Sequence, residues 1–134
     1  MIAVGEMEPP VESTNAELIT EATTFAAWVL PSDGKVLLVR RERPDGLKYS
    51  VALETSPGGL AQMLKDSGFT TPLHNWMGTA SAETIAGPPL TTSPRMQRGQ
   101  DFYRSPDGDS MIRDVLIDER TSELRFVHLE FREQ

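Results

Sequence analysis

The feature that most constrains how this chain can fold is a pair of turn clusters, Pro31-Ser32-Asp33-Gly34 and Pro44-Asp45-Gly46, with strand-like residues on either side. Proline presets one turn dihedral and glycine supplies the left-handed position, so each cluster reverses the chain. Between them Val36 and Leu38 face one way and Leu37 and Val39 the other, the pattern of a strand inside a sheet. Beyond the second turn Leu47, Tyr49, Val51 and Leu53 alternate with Lys48, Ser50 and Ala52, which predicts one apolar and one wet face. Upstream, the aromatic and β-branched run Phe25 to Leu30 reads as a further strand. Residues 25–53 are therefore expected to form a three-stranded antiparallel meander.

Helix signals flank it. Ser13 and Thr14 are candidate N-caps, and Glu17 completes a capping box with Thr14 ahead of Leu18, Ile19 and Ala22. After Ser56-Pro57-Gly58-Gly59, the residues Leu60, Met63 and Leu64 recur at helical spacing until Gly68. Residues 110–131 read as a C-terminal hairpin turning through Glu119 to Glu123. Ser81 to Ala86 could form one helical turn, and the proline- and glycine-broken stretch Gly87 to Gln100 reads as a long loop of the kind that carries function. The expectation is an α+β fold: a mainly antiparallel, curved sheet of five or six strands with two short helices on one side. Residues 1–12, with Pro9-Pro10 and three glutamates, read as a disordered acidic leader, and 13–134 as a single globular domain.

Composition narrows the function classes. The 134 residues include no cysteine, which removes disulfides, thiolate nucleophiles and cysteine-ligated zinc, and points to a cytoplasmic setting. No apolar run approaches the length of a membrane span, and the N-terminus lacks the basic head of a signal peptide. The net charge of -7 argues against binding nucleic acid or an anionic membrane face. The acids gather at the two ends of the chain, while Arg40, Arg41, Arg43 and Lys48 cluster in the middle.

Two sets of candidate site residues follow. The amides of Gly58 and Gly59 at a helix N-terminus, with Arg40, Arg41 and Arg43 as counter-charge, could hold an anion. His74, Trp76, Arg95, Arg98, Phe102 and Tyr103 belong to the residue types that dominate protein-binding hot spots. His128 sits within an apolar strand and reads as a packed residue. Asp107-Gly108-Asp109 opens like a calcium loop, but Met111 and Asp118 stand where further ligands belong, so a plain turn is expected. No metal site, cofactor or catalytic residue is expected.

The stretch Gly34-Lys35-Val36-Leu37-Leu38-Val39-Arg40-Arg41, followed by Pro57-Gly58-Gly59 before a helix, resembles the entrance to a Nudix hydrolase. That family holds magnesium with a glutamate-rich helix. Here Leu60-Ala61-Gln62-Met63-Leu64-Lys65-Asp66 contains no glutamate, so the resemblance brings no metal site. Asp114-Val115-Leu116-Ile117-Asp118-Glu119 through Phe126-Val127 is similar to the hairpin of PRC-barrel domains, which implies a β-rich C-terminal half. The residues themselves favour a small non-enzymatic protein-binding domain, an inhibitor, immunity-type or adaptor protein, whose partner is another protein or a second copy. The loop 87–104 would carry the contact. The alternative is an enzyme or sensor holding a phosphorylated small molecule at Pro57–Gly59.

Overall fold

The computed structural model describes residues 9–43, 46–77 and 84–134. In chain order they form β1 (Val11–Ser13), α1 (Ala16–Ala26), β2 (Lys35–Glu42), β3 (Lys48–Thr55), α2 (Pro57–Asp66), β4 (His74–Asn75), β5 (Met96–Arg104), β6 (Ser110–Glu119) and β7 (Arg125–Glu133). A 3-10 turn at Leu90–Thr92 precedes β5. The strands make one seven-stranded antiparallel sheet in the order β1-β2-β3-β7-β6-β5-β4, open at both ends, so the fold is α+β as the patterning predicts. The C-terminal hairpin β6-β7 docks on β3 with Val51 opposite Leu129, which joins the two hairpin systems into a single sheet.

The structure redraws the expected meander at its first strand. Helix α1 runs on through Phe25 and Ala26, because Leu18, Ala22 and Ala26 recur four residues apart and bury one continuous stripe. Thr23 is tolerated inside the helix, where its hydroxyl donates to the Ile19 carbonyl. The helix stops at Ala27, whose left-handed backbone (φ 50°) lets the Ala27 and Trp28 amides donate back to the Thr24 and Thr23 carbonyls. Residues 27–30 are consequently a connection, not a strand. The place beside β2 goes to β1, with Val11 opposite Arg41, so Val11 and Glu12 of the expected leader are sheet residues. The cap of α1 is Asn15, one residue after the expected capping box: its side chain accepts from the Leu18 amide at 2.8 Å. Met96 to Gln100 of the expected loop lie in β5. Residues 1–8 and residues 81–83 of the expected helical turn fall outside the described residues, and 84–86 are not helical.

Both helices cover the same face of the sheet. Val39, Val51, Leu53, Val115, Ile117, Val127, Leu129 and Phe131 meet Leu18, Ala22, Ala26, Met63 and Phe69 in one core. That core contains a charge. Arg113, on β6, is 2% exposed and is the largest fully buried side chain. Its Nε and Nη2 grip both oxygens of Asp101 on β5, at 2.9 and 2.7 Å. Its Nη1 donates to the Ala26 carbonyl at the end of α1 and to the Ser67 carbonyl at the end of α2, at 3.1 and 2.9 Å. The guanidinium plane lies 4.7 Å from the Tyr103 ring centroid and 5.3 Å from that of Trp28. A cation placed against two helix C-termini meets the negative end of both dipoles, and its planar fork matches the carboxylate bidentately.

Removing one partner of a buried ion pair leaves the other charge uncompensated, at a cost of about 3–5 kcal/mol. Arg113→Met is expected to lower the urea-derived unfolding free energy by that much. Arg113→Lys should recover less than half of the loss, because an ammonium cannot reach a carboxylate and two carbonyls in separate directions. Full recovery by lysine would mean that charge alone, rather than the fork, matters.

Candidate functional site

The face of the sheet turned away from the helices is polar, and the strand register writes it out in rows. One row runs Glu12, Arg40, Ser50, Glu130, Asp114, Gln100; the next runs Leu38, Ala52, His128, Leu116, Arg98, His74. Arg98 holds Asp114 bidentately, Nε to Oδ1 at 3.1 Å and Nη2 to Oδ2 at 3.0 Å, while the Gln100 amide reaches the same carboxylate at 3.3 Å. The hydrogen bond to Asp114 raises the Arg98 pKa further above its ordinary value, so this cation stays charged. Lys48 Nζ lies 3.4 Å from Glu42 and 3.6 Å from Glu130. Opposite charges on this face thus pair with one another, which offsets the like charges of Asp114 and Glu130 standing directly opposite across β6 and β7.

The segment leading into β5 folds back over one end of this face. Leu90 is buried with Met96 and Leu116, and Trp76 packs on that cluster. Asp118, fully buried, accepts from Arg120 Nε at 2.9 Å and from the Ser93 hydroxyl. Arg120 then donates to the Thr92 carbonyl at 3.1 Å and the Pro89 carbonyl at 2.9 Å. The expected loop is therefore clamped to the sheet over 89–93 rather than projecting from it. Between this segment and the strands lies a cleft of about 260 Å³, lined by Ser50, Arg98, Asp114, His128 and Glu130 with Thr84 and Ile85 beside it. Its size is at or below the low end for small-molecule sites. Its charged groups are engaged, Arg98 with Asp114 and Glu130 with Lys48 outside the cleft, and among the described residues no group of three or more His, Asp or Glu is placed to hold a metal ion.

His128 packs under this segment: a Cβ on Gly87 would lie 3.9 Å from its ring. Its Nε2 is buried and has no hydrogen-bond partner among the described residues. Burial pushes the imidazole pKa down to about 4, against a weaker upward pull from the Asp118 carboxylate. The ring is neutral at physiological pH, in keeping with the expectation of a packed residue.

The anion-binding candidates do not come together. Arg40 Nε donates to Glu12 on β1 at 2.6 Å, and Arg41 Nη1 donates to Glu21 on α1 at 2.6 Å. Glu21 also accepts from the Tyr49 hydroxyl; that bond and the one from Arg41 lower its pKa, and burial with the Glu21 bond raises that of Tyr49. Arg43 contributes to the same field. These residues lie opposite Tyr49 and Ser50, whereas α2 starts beyond Thr55, about 17 Å further along β3 at the spacing of extended chain. At α2 itself, the Gly59 amide donates to the Ser56 side chain and the Leu60 amide to the Ser56 carbonyl. Asp33 brings a carboxylate to the same helix start, accepting from the Thr55 and Ser56 hydroxyls, which lower its pKa. A Cβ on Gly59 would meet Asp33 Oδ1 and Thr55 Oγ1 at 2.2 Å, whereas one on Gly58 would find nothing nearer than 3.9 Å. Gly59 thus permits the helix to close on Asp33.

The partner-binding candidates fare differently. His74 pairs with Arg98 across β4 and β5, and the Arg98 guanidinium stacks 5.1 Å from the Trp76 ring centroid. Phe102, two side chains further along the same face of β5, is 66% exposed. Arg95 stands at the entrance to β5, paired with Glu119 at 3.1 Å and reaching Asn75 at 3.2 Å. Tyr103 points to the opposite face, where it stacks on Arg113. Met77, not singled out in the sequence, is 89% exposed beside Trp76; its place next to a tryptophan in a polar loop was the available signal.

Two outcomes are expected. Gly58→Ala should be neutral or stabilising by up to about 1 kcal/mol, while Gly59→Ala should cost about 2 kcal/mol through forced displacement of Asp33 or Thr55, both measured by chemical denaturation. For His128 the unfolded chain takes up a proton near the ordinary value of 6.5 and the native state only near 4. Stability is therefore complete above pH 6.5 and falls as the pH drops from 6.5 to 4, by about 2–3 kcal/mol. His128→Gln should flatten that slope in thermal melts, above the range in which Glu21 and Asp33 titrate; an unchanged slope would assign it elsewhere. No protein-family model matches the chain, and neither the curated proteins nor the solved structures contain a significant match to it.

Proposed function

We propose that this chain is a small non-enzymatic domain that binds another protein, of the inhibitor, immunity-type or adaptor kind. One observation carries the reading: His74, Trp76 and Arg98 meet at a corner of the helix-free face with Met77 beside them, Phe102 lies on the same face about 13 Å further along β5, and Phe102 and Met77 expose most of their apolar surface. An arginine stacked on a tryptophan and flanked by exposed apolar side chains is the composition of a binding hot spot. Arg98 is held rigid by Asp114 and Trp76 by the Leu90–Met96–Leu116 cluster, so little conformational freedom is lost on binding. The interspersed charges around the corner would set partner selectivity. A cysteine-free acidic chain suits a reducing cytoplasm, which we take as its setting.

The alternative, a sensor or enzyme for a phosphorylated small molecule at Pro57–Gly59, has less support. The Gly59 amide is engaged by Ser56, a carboxylate already stands at the helix start, and Arg40 and Arg41 are tied to Glu12 and Glu21.

The test uses exposed positions only. His74→Ala combined with Met77→Asp should leave the thermal midpoint within about 2 °C of wild type, since surface changes are usually within about 0.5 kcal/mol. Affinity capture from a lysate of the source cells should then recover a protein on the wild-type chain that the double variant loses at least tenfold, or about 1.4 kcal/mol. Equal recovery on both, or a thermal shift with a phosphorylated metabolite and no captured protein, would contradict the reading.

A further inference from the structure

The two edges of the sheet are finished differently. The β1 edge is short, follows Pro9-Pro10, and lies on a strand whose pairing is interrupted by a bulge between Val36 and Leu38. Prolines, brevity and bulges are the devices by which sheets refuse further strands. The other edge lacks them. β4 spans only His74–Asn75 and pairs with Gln97 and Arg98, so β5 continues from Gly99 to Arg104 with no strand outside it among the described residues.

The direction of the free backbone groups follows from the bonds that are made. The Arg95 carbonyl accepts from Glu119 and the Ser105 amide donates to Asp109, so odd positions of β5 face β6. The Met96 carbonyl accepts from the Trp76 amide, so even positions face outward. Gln100, Phe102 and Arg104 therefore present their amides and carbonyls at the open edge, and all three residues are exposed.

We propose that two copies of this chain pair antiparallel along this edge, about a two-fold axis through Phe102, to form one continuous sheet. The register is selected by chemistry. Centred on Phe102, each phenyl ring meets its own counterpart, Gln100 lies opposite the partner's Arg104, and Asp101 opposite the partner's Tyr103. Centring on Asp101 would set two carboxylates face to face, and centring on Gln100 would drive the strand into β4. The fit also ends where it should. Arg98, where β4 begins, lies opposite the partner's Pro106, where the chain turns away through Ser105–Gly108. So short an edge buries less than the ~1,200 Å² of a standard interface, which places the pairing among weak, transient associations. The pairing goes beyond the recognition reading: it shares Phe102 with that surface but uses the backbone of β5 rather than His74, Trp76 and Met77.

Sedimentation equilibrium of the full chain from about 5 to 500 µM tests it. Wild type is expected to rise from 14.8 kDa toward twice that mass, and the His74→Ala, Met77→Asp variant to do the same. Phe102→Pro removes an amide that β6 does not use, so the sheet should survive while dimerisation weakens at least about tenfold. Should the proline variant fail to fold, cross-linking decides. The chain has no cysteine, and a hydrogen-bonded antiparallel pair sets its Cα atoms about 5.5 Å apart, within disulfide reach. Phe102→Cys should then cross-link on oxidation and Arg104→Cys alone should not, whereas a mixture of Gln100→Cys and Arg104→Cys chains should form the mixed dimer. A wild-type chain monomeric at the highest concentration, or cross-linking of Arg104→Cys as efficient as that of Phe102→Cys, overturns the proposal and leaves the recognition reading standing.

Discussion

A single buried guanidinium holds the helix side of this protein together. Arg113 joins β6 to β5 through Asp101, ends both helices by taking their terminal carbonyls, and fills the space between Trp28 and Tyr103. Desolvating an arginine is costly, and the cost is offset only because donors, ring faces and dipoles all find partners at once. The Ser67 side chain tightens the same junction by accepting from the Val29 amide at 2.8 Å. The connection after α1 and the end of α2 thus converge where the charge requires them.

A second arginine plays a related part on the other face. Arg120, locked to the buried Asp118, collects the Pro89 and Thr92 carbonyls and holds the segment ahead of β5 against the sheet. That clamp carries Leu90 into contact with Trp76 and Met96, and Trp76 in turn supports Arg98. The proposed recognition corner is in this way built on buried charge pairing rather than on loop conformation. The free stretch of β5 begins where β4 ends, so a recognition corner and an open edge lie side by side along one strand.

Much of the fold was legible in the sequence because alternation and turn chemistry agreed. Strands β2, β3, β6 and β7 follow apolar runs bounded by turn residues, in β3 with Tyr49, Val51 and Leu53 buried as their alternation predicts and Ala52 buried against it, and α2 begins at a serine cap with proline behind it. The errors arose where local signals were ambiguous. Phe25 and Ala26 suit either a strand or the last turn of a helix, and only the stripe of Leu18, Ala22 and Ala26 decides for the helix. Val11 and Glu12 follow two prolines and have no pattern of their own; their strand exists because β2 offers an edge. Nothing local in the run Met111 to Asp118 singles out Arg113 or reveals that Asp101 and two helix ends will surround it. The binding candidates illustrate the same limit. Residue type identified His74, Trp76, Arg98 and Phe102, but parity along β5 sends neighbouring Tyr103 to the other face. Arg40, Arg41 and Arg43 would serve as counter-charge to the Gly58 and Gly59 amides if neighbouring strands brought them near, yet most of the length of β3 separates them.

The central claim is that Arg113 is immobile in the native state, held by its four hydrogen bonds to Asp101, Ala26 and Ser67. Nitrogen-15 NMR of the guanidinium groups measures this directly. Arg113 is expected to show separate, slowly exchanging Nη1 and Nη2 protons, displaced by the Trp28 and Tyr103 rings and persisting at neutral pH. Averaged Nη signals exchanging as fast as those of an exposed arginine would contradict the account.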